Sequence, residues 1–151
     1  MKKYFISISL TFLFLNSFSQ TISGSLDSYL NDKIIALPLS GLNNYTNPTS
    51  FQLVKWETTI LYILEKNIED ARQKADEFNY RIVEFTDTLS DFIYYVLEEK
   101  AIQENYWGTY IFNLNACRQN LVLQAPHLKF DFNTGFEAVF CFSRLSAKSL
   151  F

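Results

Sequence analysis

Two residues of this sequence, His127 and Asp131, have the types and the spacing to bind a metal ion or to exchange a proton. His127 is the only histidine in the chain, and Asp131 follows it four residues later. An imidazole nitrogen and a carboxylate oxygen are both zinc ligands. The same pair could act as a general base and its orienting partner, and a lone histidine is also common as a hydrogen-bonded residue without a catalytic role. The pair alone leaves these three interpretations open.

The residues before this pair predict a buried strand. Leu121–Ala125 is a short apolar run, the pattern of a strand that is covered on both faces. Pro126 ends it, because proline has no N–H to donate to a neighbouring strand. His127 and Asp131 therefore follow the carboxyl end of a strand, which is where open α/β sheets bind ligands.

The residues after the pair predict a helix. Thr134 and Glu137 have the spacing of a capping box, so we expect Thr134 to cap a helix that runs to about Lys148. No strand is predicted after this helix. A strand that sends a helix across a sheet normally has a following parallel strand beside it, so an incomplete fold is one interpretation and a small α+β layer is the other.

A zinc site of the hydrolytic kind would need more than this pair. Such a site usually has three protein ligands and a water molecule. Because the chain has one histidine, the third ligand would be another carboxylate or would be missing from this chain.

The segment Leu121–His127, an apolar strand ending in Pro-His, resembles the first metal-ligand strand of zinc-dependent amidohydrolases of the N-formylglutamate amidohydrolase and poly-gamma-glutamate hydrolase kind. Asp131, Asn133 and Thr134 extend the resemblance, which covers residues 107–142. It implies a phosphorylase/hydrolase-like α/β fold related to zinc carboxypeptidases, with zinc bound by His127 and Asp131 and a peptide or amide substrate.

The sequence departs from this family at several positions. The small residues that often follow the histidine are replaced by Leu128–Phe130. The later histidine and the general acid–base glutamate expected towards the end of such folds have no counterpart. The resemblance therefore implies the N-terminal part of a zinc-dependent hydrolase, which carries half an active site and is inactive alone.

The first 19 residues have the pattern of a signal peptide. Two lysines form a basic region, residues 4–15 are apolar, and Ser17 and Ser19 are the small residues before a predicted cut at Gln20. The apolar stretch is shorter than the roughly 20 residues that span a bilayer. We expect a secreted or periplasmic protein without a stable membrane span, and an uncleaved N-terminal anchor is the alternative.

The net charge of the chain limits which classes of partner it can bind. The net charge is −3, and it becomes −5 once the two lysines of residues 1–19 are removed. A mildly acidic protein is a poor ligand for nucleic acid or anionic lipid.

Export would permit a disulfide between Cys117 and Cys141. Their separation in the sequence does not report the distance between their Cα atoms, so paired and unpaired cysteines both stay open.

A long helix is predicted from Thr49 onward. Thr49 and Gln52 form a second capping box. Apolar residues then recur every three or four positions as far as Phe78, which predicts about seven helical turns ending near Asn79. Such a helix packs on a sheet or binds a partner.

The remaining pattern predicts strands. Residues 80–87 and 92–97 form a hairpin, with a helix over 89–102 as the alternative. Residues 107–112 and 121–125 add two more strands.

These elements predict an α/β or α+β fold with a mixed central sheet of three to four strands, a long N-terminal helix and a C-terminal helix. Residues 20–48 are a lead-in with a short helix, and 49–151 form a single domain. Two functions follow: the N-terminal part of a zinc-dependent hydrolase, or a secreted non-catalytic binding or structural domain whose aromatic strands and long helix serve a partner surface.

Overall fold

The computed structural model describes residues 20–37, 45–126, 128, 131 and 133–151. Within them a six-stranded mixed sheet lies between two pairs of helices, which confirms the mixed α/β class. The strands are β1 (Gln20–Gly24), β2 (Tyr80–Asp87), β3 (Ile93–Glu99), β4 (Tyr110–Asn113), β5 (Arg118–Leu123) and β6 (Ala147–Leu150). The helices are α1 (Leu26–Ala36), α2 (Ser50–Leu64), α3 (Ile68–Asp76) and α4 (Thr134–Leu145).

The sheet has the strand order β1-β2-β3-β4-β6-β5. The predicted hairpin is confirmed: β2 and β3 are antiparallel, with Phe85 opposite Tyr94, and the helix over 89–102 is excluded. β1 is parallel to β2, and β5 is parallel to β6. The sheet thus has more strands than the three or four predicted.

Two predicted strands have shifted boundaries. β4 begins at Tyr110 and not at 107, because Gly108 has a φ of 95° that interrupts extended backbone. β5 begins at Arg118 and ends at Leu123, so it covers only part of the predicted run 121–125. The predicted burial is wrong, because β5 is the edge strand of the sheet and none of its residues is buried.

One face of the sheet is covered by α1 and α4. The buried side chains of α1 are Leu26, Leu30 and Ile34. Together with Val139 and Phe142 of α4, they pack in one cluster with β2, β3, β4 and β6. The predicted lead-in therefore contributes β1 and α1 to the same core as the later elements.

The other face is covered by α2 and α3. The predicted seven-turn helix is wrong as a single element, because it breaks between Leu64 and Ile68. Lys66 adopts a left-handed φ of 64°, which turns the chain so that Ile63 and Ala71 both reach the same cluster on the sheet. The apolar period continues through the break, so periodicity alone could not reveal it.

The last helix also differs from its prediction. Its N-cap is Asn133, with a left-handed φ of 59°, and Thr134 is the first helical residue; the predicted cap at Thr134 is wrong. The helix ends at Leu145, before the expected Lys148, because Ser146 has a φ of 48°.

A strand does follow this helix, contrary to expectation. β6 lies between β4 and β5, antiparallel to the first and parallel to the second. β5, α4 and β6 thus form a βαβ unit. The strand has only four residues, too short to give a clear alternating pattern in the sequence.

Gly135 fixes how α4 meets the loop before it. A Cβ at this position would lie 2.8 Å from the backbone oxygen of Leu128, closer than a side chain tolerates. The Gly135 N–H donates to that same oxygen at 3.3 Å. None of the helices in the described residues is long and apolar enough to cross a membrane.

Candidate functional site

The segment that carries the predicted zinc ligands is described only in part. His127 lies outside the described residues, so its distance from Asp131 stays a prediction. Asp131 is exposed, and its backbone carbonyl accepts the N–H of Thr134 at 3.1 Å. Just before this segment, the Ala125 N–H donates to the Phe151 oxygen at 2.8 Å and holds the chain beside β6.

Other candidate metal ligands do not converge in the described part of the chain. No group of three or more His, Cys, Asp or Glu residues there could hold a metal ion. Cys117 is exposed, Cys141 is half-buried, and both are free, so of the two sequence alternatives the unpaired one holds. Any metal site with three or more ligands of these types would therefore have to include residues outside the described part of the chain, such as His127.

The densest cluster of titratable groups is a structural one. Glu98 is 3% exposed and pairs with Lys33 at 2.5 Å and with Arg81 at 2.7 Å. Burial would lower the pKa of Lys33, but the hydrogen bond and the charge of Glu98 outweigh burial, and that pKa is raised. Because it pairs with a lysine of α1 and an arginine of β2, this carboxylate ties α1 to the hairpin.

The strongest candidate site is an aromatic groove beside α2. Its volume is about 120 Å³. The lining residues are Tyr45, Pro48, Gln52, Leu53, Trp56, Trp107 and Tyr110. They come from three separate parts of the chain: the segment before α2, α2 itself, and the segment that leads into β4.

The rings of the groove are set edge to face. The ring centre of Trp56 lies 4.8 Å from that of Tyr110 and 5.9 Å from that of Trp107, with interplanar angles of 67° and 86°. Edge-to-face packing is a favourable arrangement for aromatic pairs. These three rings therefore pack against one another in the groove wall without a ligand.

A buried carboxylate shapes the loop that presents Trp107. Glu99 is 8% exposed and accepts the backbone N–H groups of Glu104, Asn105 and Tyr106 at 2.7, 2.6 and 2.9 Å. Three successive N–H groups around one anion form a nest, which fixes the loop backbone.

The loop is also tied to its neighbours. The Tyr80 hydroxyl donates to the oxygen of Gly108 at 3.0 Å, and burial, followed by the charge of Glu99, raises the pKa of Tyr80. The Trp107 indole N–H donates to the oxygen of Thr46 at 2.6 Å. The Thr46 N–H in turn donates to the Asn105 oxygen at 3.2 Å. The segment before α2 is therefore held against the loop.

The polar atoms of the groove are largely engaged within the protein. The Tyr110 hydroxyl donates to the oxygen of Trp107 at 2.8 Å, and the Trp107 indole donates to Thr46. The Gln52 side-chain oxygen accepts the N–H of Thr49 at 2.8 Å. The described residues that line the groove are all uncharged. The groove therefore offers ring faces to a ligand and few hydrogen bonds.

Sequence reasoning did not find this groove. It identified the aromatic strands and the long helix as a possible partner surface, but it did not bring Tyr45, Trp56 and Trp107 together. The available signal was that both tryptophans of the chain lie in segments rich in other aromatic residues. Their contact depends on the packing of α2 on the sheet, which spacing along the chain does not report.

Comparison of the chain with protein-family models, curated proteins and solved structures finds no match. Function is therefore proposed from the geometry of the site.

Proposed function

We propose that the protein is an exported, non-catalytic binding domain whose aromatic groove holds an extended, proline-containing peptide segment. The observation that carries this proposal is the groove itself. Four aromatic side chains line it; the rings of Trp107 and Tyr110 pack edge to face against Trp56, and the polar side-chain atoms of Trp107 and Tyr110 are already hydrogen-bonded inside the protein.

The chemistry of the groove selects among ligands. A sugar needs many hydrogen bonds, and an ionic ligand needs a countercharge. For each of these ligands, removing its polar groups from water costs more free energy than contacts with the uncharged aromatic walls give back. Proline rings are apolar, and a polyproline II segment is extended before it binds, so little conformational entropy is lost. Grooves lined by aromatic side chains are a recurrent binding site for such segments.

The size of the groove limits the affinity. A volume of about 120 Å³ accommodates one or two proline rings and not a whole folded surface. We expect dissociation constants on the order of 10–100 μM, as small interfaces usually give.

Tryptophan fluorescence tests this proposal directly, because both tryptophans of the chain line the groove. We expect a saturable change in emission with a peptide of about ten residues rich in proline, and none with the same peptide in which alanine replaces proline. Equal responses to both peptides, or no response to either, would contradict the proposal.

A matched pair of variants locates the binding. Leu53 lies on the groove and is 52% exposed, so Leu53→Asp adds a charge without disturbing the core and should abolish the response. Leu89, which is 83% exposed in the turn between β2 and β3, is the control, and Leu89→Asp should bind like the wild type.

A zinc-dependent amide or peptide hydrolase is the second candidate. It is supported by the resemblance around Pro126 and His127 and by the βαβ unit formed by β5, α4 and β6. In this proposal His127 and Asp131 would hold zinc, which would activate water for attack on an amide carbonyl. The ligands and the general base needed to complete such a site would come from outside this chain.

A further inference from the structure

Two walls of the aromatic groove are fastened to the loop between β3 and β4. Trp107 belongs to this loop and lines the groove itself. The other wall is the segment before α2, where Tyr45 and Pro48 line the groove on either side of Thr46. The Thr46 N–H donates to the Asn105 oxygen at 3.2 Å, and the Thr46 oxygen accepts the Trp107 indole N–H at 2.6 Å. The position of this segment therefore depends on the position of the loop.

The loop in turn is held by Glu99, the last residue of β3. Its Oε1 accepts the backbone N–H groups of Glu104 and Asn105, and its Oε2 accepts that of Tyr106. Tyr106 directly precedes Trp107 and has a left-handed φ of 59°, a conformation that a bulky residue keeps only where its surroundings hold it. Glu99 is not one of the described residues that line the groove, so any effect on a ligand passes through the loop.

We propose that Glu99 is the positioning residue of the groove. By binding three successive N–H groups, its carboxylate holds Trp107 and, through Thr46, the segment before α2 in the arrangement that accepts a ligand. This role deepens the proposed peptide binding and rests on it for the identity of the ligand. A loop that is ordered beforehand loses less conformational entropy on binding. If a variant loop adopts the binding arrangement only part of the time, the apparent affinity falls by that fraction.

Glutamine is the substitution that isolates this role. The side chain of Glu99→Gln has nearly the shape of the carboxylate but only one acceptor oxygen. That oxygen can take the place of Oε1 and accept the N–H groups of Glu104 and Asn105, but the NH₂ group then faces the N–H of Tyr106. A buried donor left without an acceptor costs free energy. We therefore expect the loop to loosen at the residue next to Trp107.

Glu98→Gln is the matched control, because Glu98 is the preceding residue of β3 and is also buried. Successive residues of a strand point to opposite faces of the sheet, and Glu98 pairs with Lys33 of α1 and with Arg81. Losing its charge should lower the stability of the fold, while the groove loop keeps its hydrogen bonds to Glu99. A change shared by both variants reports stability, and a change confined to Glu99→Gln reports positioning.

Hydrogen exchange followed by NMR tests the loop in the wild type without a ligand. We expect the amide hydrogens of Glu104, Asn105 and Tyr106 to exchange at least roughly tenfold more slowly than unprotected amides. Exchange at the unprotected rate would overturn the proposal, because the carboxylate would then not hold the loop. This measurement decides the matter even if Glu99→Gln does not fold.

Acrylamide quenching of tryptophan fluorescence compares the groove walls of the variants, since both tryptophans of the chain line the groove. Quenching should increase in Glu99→Gln and stay at the wild-type level in Glu98→Gln. Circular dichroism checks that each variant is folded. Wild-type quenching in Glu99→Gln, or an equal increase in both variants, would refute the positioning role.

The affinity for the proline-rich peptide is the last measurement. We expect the dissociation constant to rise roughly fivefold to thirtyfold in Glu99→Gln and to stay within about twofold of the wild type in Glu98→Gln. No rise in Glu99→Gln, or the same rise in both variants, would contradict the proposal. A wild-type chain that binds no such peptide would instead contradict the proposed function, and the exchange and quenching results would still decide whether Glu99 holds the groove.

Discussion

Asp87 joins three parts of the molecule through one carboxylate. One oxygen accepts the N–H of Leu26 at the start of α1 at 3.0 Å. The other accepts the N–H and the hydroxyl of Ser90 at 2.9 and 2.7 Å. Burial would raise the pKa of this carboxyl, but the hydrogen bonds outweigh burial, and the pKa lies below its ordinary value.

Asp87 should therefore make stability depend on acid pH. Because its pKa is lowered by folding, the carboxylate stabilises the fold above the unfolded-state pKa of about 3.9, and this contribution is lost as the pH falls through the folded-state pKa. We expect Asp87→Asn to lower the free energy of unfolding at pH 7 by about 1–2 kcal/mol. In urea titrations the difference from the wild type should shrink steadily towards the acid end.

Asp91 provides the control for this experiment. It is exposed in the same turn and has a left-handed φ of 58°, which asparagine also tolerates. Asp91→Asn should leave both stability and its pH dependence close to the wild type. If the free energies of unfolding of Asp87→Asn and the wild type differed by the same amount at every pH, the predicted pH dependence from Asp87 would be contradicted.

His127 and Asp131 remain the predicted zinc ligands. With two protein ligands we expect weak zinc uptake, which calorimetric titration of the purified chain would measure, and His127→Ala should abolish it. Equal zinc uptake by the wild type and by His127→Ala would show that His127 is not a zinc ligand. Robust peptide hydrolysis by the wild type would show that this chain holds a complete active site, and would contradict the prediction that it holds only half of one.

At the scale of secondary structure, the two capping boxes read from the sequence have different outcomes. At α2 the box is complete: the Thr49 hydroxyl accepts the N–H of Gln52 at 3.3 Å, and the Gln52 side chain accepts the N–H of Thr49 at 2.8 Å. At α4 the same spacing starts one residue inside the helix, because Asn133 takes the cap position.

This difference is measurable. Thr49→Ala should cost about 1 kcal/mol of stability, the usual loss for an N-cap hydroxyl. Thr134→Ala should change the free energy of unfolding by less than about 0.5 kcal/mol, since Thr134 occupies the first helical position. Urea denaturation of the two variants side by side gives the comparison. Equal losses would mean that Thr134 caps α4 after all.

At the scale of the whole molecule, α2 connects the sheet with the aromatic groove. Trp56 packs against Trp107 and Tyr110, while Val54 and Leu61 on the same helix are exposed.

Export is the prediction that belongs to the scale of the whole molecule. N-terminal sequencing of the protein recovered from the secreted or periplasmic fraction should begin at Gln20 or within a residue or two of it, as the basic, apolar and small-residue order of residues 1–19 indicates. Finding Met1 on the exported protein would contradict cleavage and favour the uncleaved anchor.

The sequence by itself determined the features that depend on neighbouring residues. The hairpin of β2 and β3, the cap at Thr49 and the strand–loop–helix order after Leu121 were all predicted. Alternation, capping and turn chemistry act over a few residues, so a short stretch carries the whole signal.

The tertiary structure alone decided the features that depend on distant contacts. β1 exists by pairing with β2, with Gln20 beside Val83, and β6 exists by insertion between two other strands. The groove needs Trp56 and Trp107, which lie far apart in the sequence, to meet across the packing of α2 on the sheet. Such contacts are favourable only when the chain is folded, because the surface they bury is assembled from elements that do not touch in the unfolded chain.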